Sequence, residues 1–117
     1  MNNNDIEGPI PDSFANLGNL RAFAAQSNGL NGTIPAFLGS LDMLRTINFF
    51  DNFLTGDVPS ELGLLTNLQN LFLHFNPLTG SMPPEICALR AGELQQLVSD
   101  CGPGGTIECE QPTCCTA

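Results

Sequence analysis

The chain has 117 residues, the size of one domain, and its 42% hydrophobic content indicates a folded protein. Three arginines and no lysine stand against 12 acidic residues, and the net charge of −9 argues against nucleic acid or an anionic membrane surface as a partner. The sequence also lacks the run of roughly 18 apolar residues that a membrane-spanning helix needs.

A pattern of the form Asn-x-apolar-x-Gly-x-apolar-Pro recurs at a constant interval, beginning at Asn4, Asn28, Asn52 and Asn76. Between these blocks, columns of apolar residues keep the same spacing, as in the segment that contains Leu68, Leu71 and Leu73. The period-two alternation at its end predicts a short strand with one buried face. A fixed period without insertions predicts a repeat architecture in which each coil buries its apolar face against its neighbours.

The recurring Asn, Gly and Pro residues have separate predicted roles. The asparagine amide is expected to bond backbone groups of its own turn and of the next coil, forming a ladder. The glycine permits a positive φ or a close approach by the neighbouring coil. The proline ends β pairing, and segments such as 60–65 are expected to form short helical turns on the outer side.

The motif Asn-x-Leu-x-Gly-x-Ile-Pro-x-x-Leu-Gly-x-Leu, matched almost position by position over 28–44, resembles the plant-type extracellular leucine-rich repeat. The resemblance covers about residues 4–91, with Met82 replacing Ile and with Ala24 and Ala25 weakening the first strand. It implies an α/β solenoid, right-handed, with a parallel β-sheet on its concave face and about four coils over 1–86. It also implies recognition of a ligand, as in receptor ectodomains and secreted inhibitors of that class.

The first repeat begins at Asn4 without a polar capping segment, and residues 1–5 lack the basic and apolar stretches of a signal peptide. An uncapped coil is expected to expose Ile6, Ile10, Phe14 and Leu17. We therefore expect a C-terminal part of a longer array whose upstream repeats are missing. The alternative is a natural short protein whose first coil is tolerated or paired with another chain.

The far end has the composition of a cysteine-rich cap over 87–117. Asp100 lies one repeat period after Asn76, but Gly92 and Gln95 then occupy columns that should be apolar. The segment resembles the caps of secreted algal and protist repeat proteins. Clustered cysteines predict disulfides formed in an oxidising compartment, and hence an extracellular location. The cysteines are Cys87, Cys101, Cys109, Cys114 and Cys115.

Several disulfide arrangements remain open. Cys114 and Cys115 are not expected to pair, because neighbouring Cα atoms are only about 3.8 Å apart. We favour Cys87 with Cys101, which leaves Cys109 to pair with one of the other two. A zinc site is not expected, because the cysteine spacing is unsuitable and the only histidine, His74, lies in another coil.

The residues between the buried columns are predicted to form stacked rows on the concave face, about 4.8 Å apart. Four ring-bearing side chains then cluster beside polar ones, which suits a protein, peptide or carbohydrate ligand. The alternative is that the cap folds over Phe72 and Phe75 and makes them core. The predicted ligand-binding residues are Asn48, Phe50, Asp51, Asn70, Phe72, His74 and Phe75.

Other signals are weaker. The only N-glycosylation sequon begins at Asn31. Catalysis and a cofactor are not expected, because the chain has no anchored Ser-His-Asp arrangement and no phosphate-binding loop, and its paired carboxylates lie in end segments. A purely structural capping role is the main alternative function. A polar column of Asn31, Thr55 and Thr79 makes an ice- or polysaccharide-binding surface a minor one.

Overall fold

The structure is a computed structural model, and it describes residues 7–100. Its concave side is a parallel sheet of four short strands, which are β2 (Ala22–Ala24), β4 (Thr46–Asn48), β6 (Asn70–Phe72) and β8 (Gln96–Val98) in that order. The next side of the coil holds two parallel pairs, β1 (Glu7–Pro9) with β3 (Gly29–Asn31) and β5 (Gly56–Asp57) with β7 (Leu78–Thr79). The predicted parallel concave sheet is therefore confirmed.

Short helices occupy the outer side of the coil, where they were predicted. The first helix of each coil begins directly after a proline of the repeat, because proline cannot donate to a strand ladder and its φ suits the entry into a helical turn. The short helices are 3₁₀ helices at Asp12–Asn16, Ala36–Ser40 and Ser60–Leu64, then α1 (Pro84–Cys87) followed by a 3₁₀ helix at Ala88–Ala91. At four or five residues each, the helices of the described part are far too short to cross a bilayer.

The strand pairing confirms the repeat period of the inner coils. Phe23 lies opposite Ile47, which lies opposite Leu71, so successive partners are one repeat period apart. The core follows the predicted columns, since Ile47 and Leu71 are fully buried and so is the column of Phe49 and Leu73. Each coil therefore contributes one layer to a continuous apolar interior.

The predicted asparagine ladder is present, although each side chain bonds its own coil and the preceding one rather than the next. The buried Asn52 amide donates to the carbonyl oxygens of Ala25, at 2.9 Å, and Phe49, at 3.1 Å, and its Oδ1 accepts from the Leu30 amide at 3.1 Å. Asn76 makes the equivalent set of bonds one coil later. One side chain thus satisfies backbone groups of two coils, which would otherwise be buried without partners.

The last coil is longer than predicted. In β8, Leu97 pairs with Leu71, whereas a constant period would pair Gln95 with Leu71. Leu94 and Leu97 consequently fill the buried columns, and the assignment of those columns to Gly92 and Gln95 is wrong. Burial explains the shift, because the unshifted register would place polar Gln95 in the core and leave a leucine outside.

The first coil is less completely packed than the inner ones. Leu17 is 43% exposed, as expected for an open end, whereas its counterparts Leu41 and Leu65 are buried. Phe14 is half-buried, and Ile10, expected to be exposed, is only 4% exposed because it packs into the core; Ile6 lies outside the described residues.

The outer helices touch closely where the repeat supplies a glycine. A Cβ atom added at Gly63 would lie 2.5 Å from the Glu85 Cβ and 2.9 Å from its carbonyl oxygen, and one at Gly39 would overlap the Glu61 carbonyl. The first coil has Ala15 at the corresponding position, and its helix, Asp12–Asn16, contains no buried residue. An alanine there is incompatible with the approach that the inner coils make.

Candidate functional site

Four ring-bearing side chains meet at the carboxyl end of the concave strands. We call Phe50, Phe72, His74 and Phe75 the aromatic cluster. The ring centroids are 4.4 Å apart for Phe50 and His74, 5.2 Å for Phe50 and Phe75, 5.7 Å for His74 and Phe75, and 6.2 Å for Phe72 and His74. The structure therefore brings together the aromatic residues that the sequence placed in neighbouring rows.

The aromatic cluster is open to solvent. Phe75 is 64% exposed, and Phe50, Phe72 and His74 are half-buried. Neither phenylalanine of the alternative core is fully buried here, and residues 101–117 of the cap lie outside the described residues. An exposed group of rings on a folded domain is a candidate interaction surface.

Phe75 is held in an unusual backbone conformation. Its φ is +60°, in the left-handed region that is costly for a bulky side chain. Ser27, at +57°, and Asp51, at +61°, occupy the same position in the two preceding coils. Each of these three concave strands thus leads into one left-handed residue, and the coil with the exposed ring carries the least suitable residue type there.

The Asp100 carboxylate fixes this turn. Its Oδ2 accepts hydrogen bonds from the amides of Phe75, at 2.7 Å, and Asn76, at 3.3 Å. In the preceding coils the equivalent amides of Ser27 and Asp51 donate to backbone carbonyl oxygens of the next coil, at 2.8 and 3.1 Å. Asp100 therefore belongs to the site's surroundings, which the sequence interpretation missed because it placed this residue in the asparagine column.

His74 lies within the cluster and packs against Phe50. Burial lowers the pKa of its imidazole, and the nearby Asp100 carboxylate raises it by a smaller amount. Its Nδ1 atom is buried and makes no hydrogen bond within the described part of the chain. The lowered pKa favours the uncharged form of the ring that packs against Phe50.

The polar residues of the predicted site differ in availability. Asn48 Oδ1 accepts from the Phe50 amide at 3.1 Å, and Asn70 Nδ2 donates to Thr46 Oγ1 at 3.4 Å. Both asparagines are half-buried, whereas Asp51 is exposed. Asp51 is consequently the polar group most accessible to a ligand beside the rings.

Other predicted positions lie away from the cluster. Asn31 is exposed at the end of β3, and Thr33 of its sequon is exposed as well. Cys87 is half-buried and disulfide-bonded. Its partner lies outside the described residues, as do Cys101, Cys109, Cys114 and Cys115. Residues 7–100 contain no group of three or more His, Cys, Asp or Glu side chains placed to hold a metal.

Apolar cavities lie at the first coil, remote from the cluster. One of about 100 Å³ is lined by Ile10, Phe14, Phe23 and Leu30 among others, and one of about 290 Å³ by Phe14, Leu17 and Phe23 with their neighbours. They reflect the open packing of that end.

These features define the fold as a leucine-rich repeat solenoid. The Leucine Rich Repeat family model matches residues 43–65 and 67–89, two consecutive coils of the described structure. A sequence comparison with curated proteins finds no match.

Solved ectodomains of plant receptors have similar structures. The leucine-rich repeat ectodomain of the Arabidopsis thaliana receptor kinase SOBIR1 is 23% identical over 85% of this chain and 53% of its own, with a TM-score of 0.78. The plant peptide hormone receptor RGFR1, solved in complex with RGF2, is 32% identical over 85% of this chain and 16% of its own, with a TM-score of 0.77.

A third similar structure is the ectodomain of the Arabidopsis thaliana receptor kinase GASSHO1/SCHENGEN3 in complex with CASPARIAN STRIP INTEGRITY FACTOR 2. It is 31% identical over 93% of this chain and 12% of its own, with a TM-score of 0.77. The chain thus spans about half of the first ectodomain and less than a fifth of the other two.

Proposed function

We propose that this chain is a non-catalytic recognition module of an extracellular leucine-rich repeat protein, and that it binds a peptide or protein segment through the aromatic cluster. The observation that carries this proposal is the 64% exposure of Phe75, whose ring lies 5.2 Å from Phe50 on the concave face. Aromatic side chains supply much of the binding energy in protein interfaces.

The similar ectodomains support a peptide or protein ligand over a carbohydrate. RGFR1 is described as a peptide hormone receptor, and GASSHO1/SCHENGEN3 was solved with an integrity factor. A carbohydrate could stack on the same rings, so it is the second ligand class to test.

The size of the concave face sets the expected affinity. Four strands spaced about 4.8 Å apart give a face of about 300 Å², compared with about 800 Å² per partner in a standard interface. The isolated chain should therefore bind weakly, and a tight complex would need further repeats of the same protein.

The proposed test is a titration of the ¹⁵N-labelled chain with blocked hexapeptide pools, followed by nuclear magnetic resonance. Binding should shift the amides of Phe50 and Phe75, and Phe50→Ala or Phe75→Ala should weaken it about tenfold. Phe53→Ala is the matched control, because Phe53 is 65% exposed but lies beyond Asn52, outside the cluster. Equal losses from Phe53→Ala and Phe75→Ala would contradict the assigned site.

A structural capping role is the second candidate. It is favoured by Asp100, whose carboxylate bonds amides of the preceding coil where inner coils use backbone carbonyls. Under this alternative, Phe50→Ala and Phe75→Ala leave all binding unchanged, and residues 87–117 serve to end the array.

The extracellular assignment has its own test. We propose a disulfide-bonded cap, with Cys87 bonded to Cys101, and a glycan on Asn31 when the chain is made in a eukaryotic secretory pathway. Intact mass with thiol labelling should show two bridges and one free thiol. Five free thiols in protein from an oxidising compartment would rule out the secreted interpretation. Loss of a glycan mass in Asn31→Gln would identify the modification.

A further inference from the structure

We propose that the aromatic cluster selects a cationic side chain, an arginine or lysine of a basic peptide. This inference rests on the proposed function and adds the chemistry of the ligand. It follows from the rings, from the carboxylates on either side of them, and from the placement of the chain's own basic residues.

The rings offer a surface suited to a cation. Phe50 and Phe75 are tilted by 36° with their centroids 5.2 Å apart, and His74 packs against Phe50 at 4.4 Å. The face of an aromatic ring is electronegative, and it attracts a guanidinium or ammonium group placed within about 6 Å of the centroid. A guanidinium also stacks on such a ring through its own plane.

Acidic residues lie on both sides of Phe75 in the stacked coils. Asp51 follows Phe50 in the chain and occupies the same left-handed position as Phe75, one coil earlier, so the two residues are neighbours in one row. Asp100 lies on the other side, with its carboxylate 2.7 Å from the Phe75 amide nitrogen. Phe75 therefore sits between two acidic groups, of which Asp51 is exposed and able to pair with a ligand.

The basic residues of the described part lie elsewhere. Arg45 precedes β4 whereas Phe50 follows it, so their Cα atoms are about 16 Å apart along the strand. Arg21 has the same place before β2, and Arg90 lies in the outer 3₁₀ helix at Ala88–Ala91. An anionic ligand would meet two carboxylates at the cluster, whereas a cationic one would meet complementary charge and a chain of net charge −9.

Charge separates this proposal from the other ligand classes. An apolar peptide needs only the rings, and a neutral sugar stacks on them without regard to the carboxylates. A cationic ligand alone should lose affinity when Asp51 is neutralised or when salt is raised. Asp100 is unsuitable for this test, because its carboxylate also holds the Phe75 turn.

The experiment uses the full chain and a positional-scanning library of N-acetylated, C-amidated hexapeptides. We expect arginine or lysine to be selected at one position, and Glu or Asp to be rejected there. In the best peptide, citrulline keeps the shape of arginine without its charge and should weaken binding at least fivefold. A peptide with lysine in place of the arginine should bind with an affinity within about threefold of the arginine peptide, because lysine keeps the charge. A version with a free N-terminus tests whether a terminal amine serves as the cation.

A double-mutant cycle locates the interaction. Asp51→Asn should weaken the arginine peptide about fivefold and leave the citrulline peptide unchanged. Asp42→Asn is the matched control, since Asp42 is exposed before β4, at the far end of the strand. Equal affinity for the arginine and citrulline peptides would overturn this inference and leave the proposed function standing. If only cellohexaose shifted the amide resonances of the aromatic cluster, the inference would be overturned and the ligand would be a carbohydrate. No shift with any probe would refute both proposals.

Discussion

The first and last coils of the described solenoid depart from the inner repeat in different ways. The first keeps the repeat spacing but loses packing, with Ala15 at the glycine position and Leu17 exposed. The last lengthens the spacing and keeps the packing, with Leu94 and Leu97 buried. The comparison shows that burial of leucines decides the register, whereas the sequence period is only the usual way of achieving it.

The largest expected effect compares how tightly the inner coils and the first coil are packed. Leu71→Ala removes a fully buried side chain from the sheet and should lower the free energy of unfolding by about 3 kcal/mol. Leu17→Ala, at a position that is 43% exposed, should cost less than about 1 kcal/mol. Urea unfolding of both variants measures the difference. Similar losses would mean that the first coil is packed as tightly as the inner ones.

An intermediate effect is expected at the last coil. Asp100→Ala removes the acceptor of the Phe75 and Asn76 amides and should destabilise the chain by about 1–2 kcal/mol. Amide hydrogen exchange at Phe75 should accelerate, while that at Ser27, which bonds a backbone carbonyl, stays unchanged. Asp100→Asn keeps an acceptor oxygen and should recover part of the loss. Unchanged exchange at Phe75 would show that the carboxylate does not hold this turn.

The smallest expected effect concerns pH. His74 has a lowered pKa in the folded chain, so the unfolded chain takes up its proton first as the pH falls. Stability should therefore decrease between pH 6.5, the ordinary histidine value, and the lower folded pKa, by less than about 1 kcal/mol because the ring is partly solvated. Urea unfolding at pH 7.5 and 5.5 measures the change, and His74→Gln should remove it. A pH dependence that persists in this variant would assign it to other groups.

Much of the fold was predictable because the inner coils are identical in length. Counting in steps of one repeat predicts the parallel concave strands and the ladder positions of Asn52 and Asn76. It also predicts that Phe50 and His74 lie side by side. The pairing register of β8 with β6 was not predictable by counting. The reason is that α1 and the 3₁₀ helix after it lengthen the outer side of the last coil before Leu94.

The surroundings of Phe75 were missed for the same reason. The predicted register places Asp100 in the asparagine column of Asn76. The observed register places it in the row of Phe50 and His74 instead. The left-handed φ of Phe75 had no signal in its residue type, since phenylalanine is unfavourable there. It is imposed by the path that each coil takes out of its strand.

The left-handed position also has a consequence for how such a surface can change. Ser27, Asp51 and Phe75 share one backbone conformation while presenting a hydroxyl, a carboxylate and a ring. The backbone conformation at this position is the same for three different side chains. A single substitution there therefore changes the chemical group offered to a ligand and leaves the backbone of the coil in place. A library selected for new ligands would therefore be randomised first at these three positions, one in each coil.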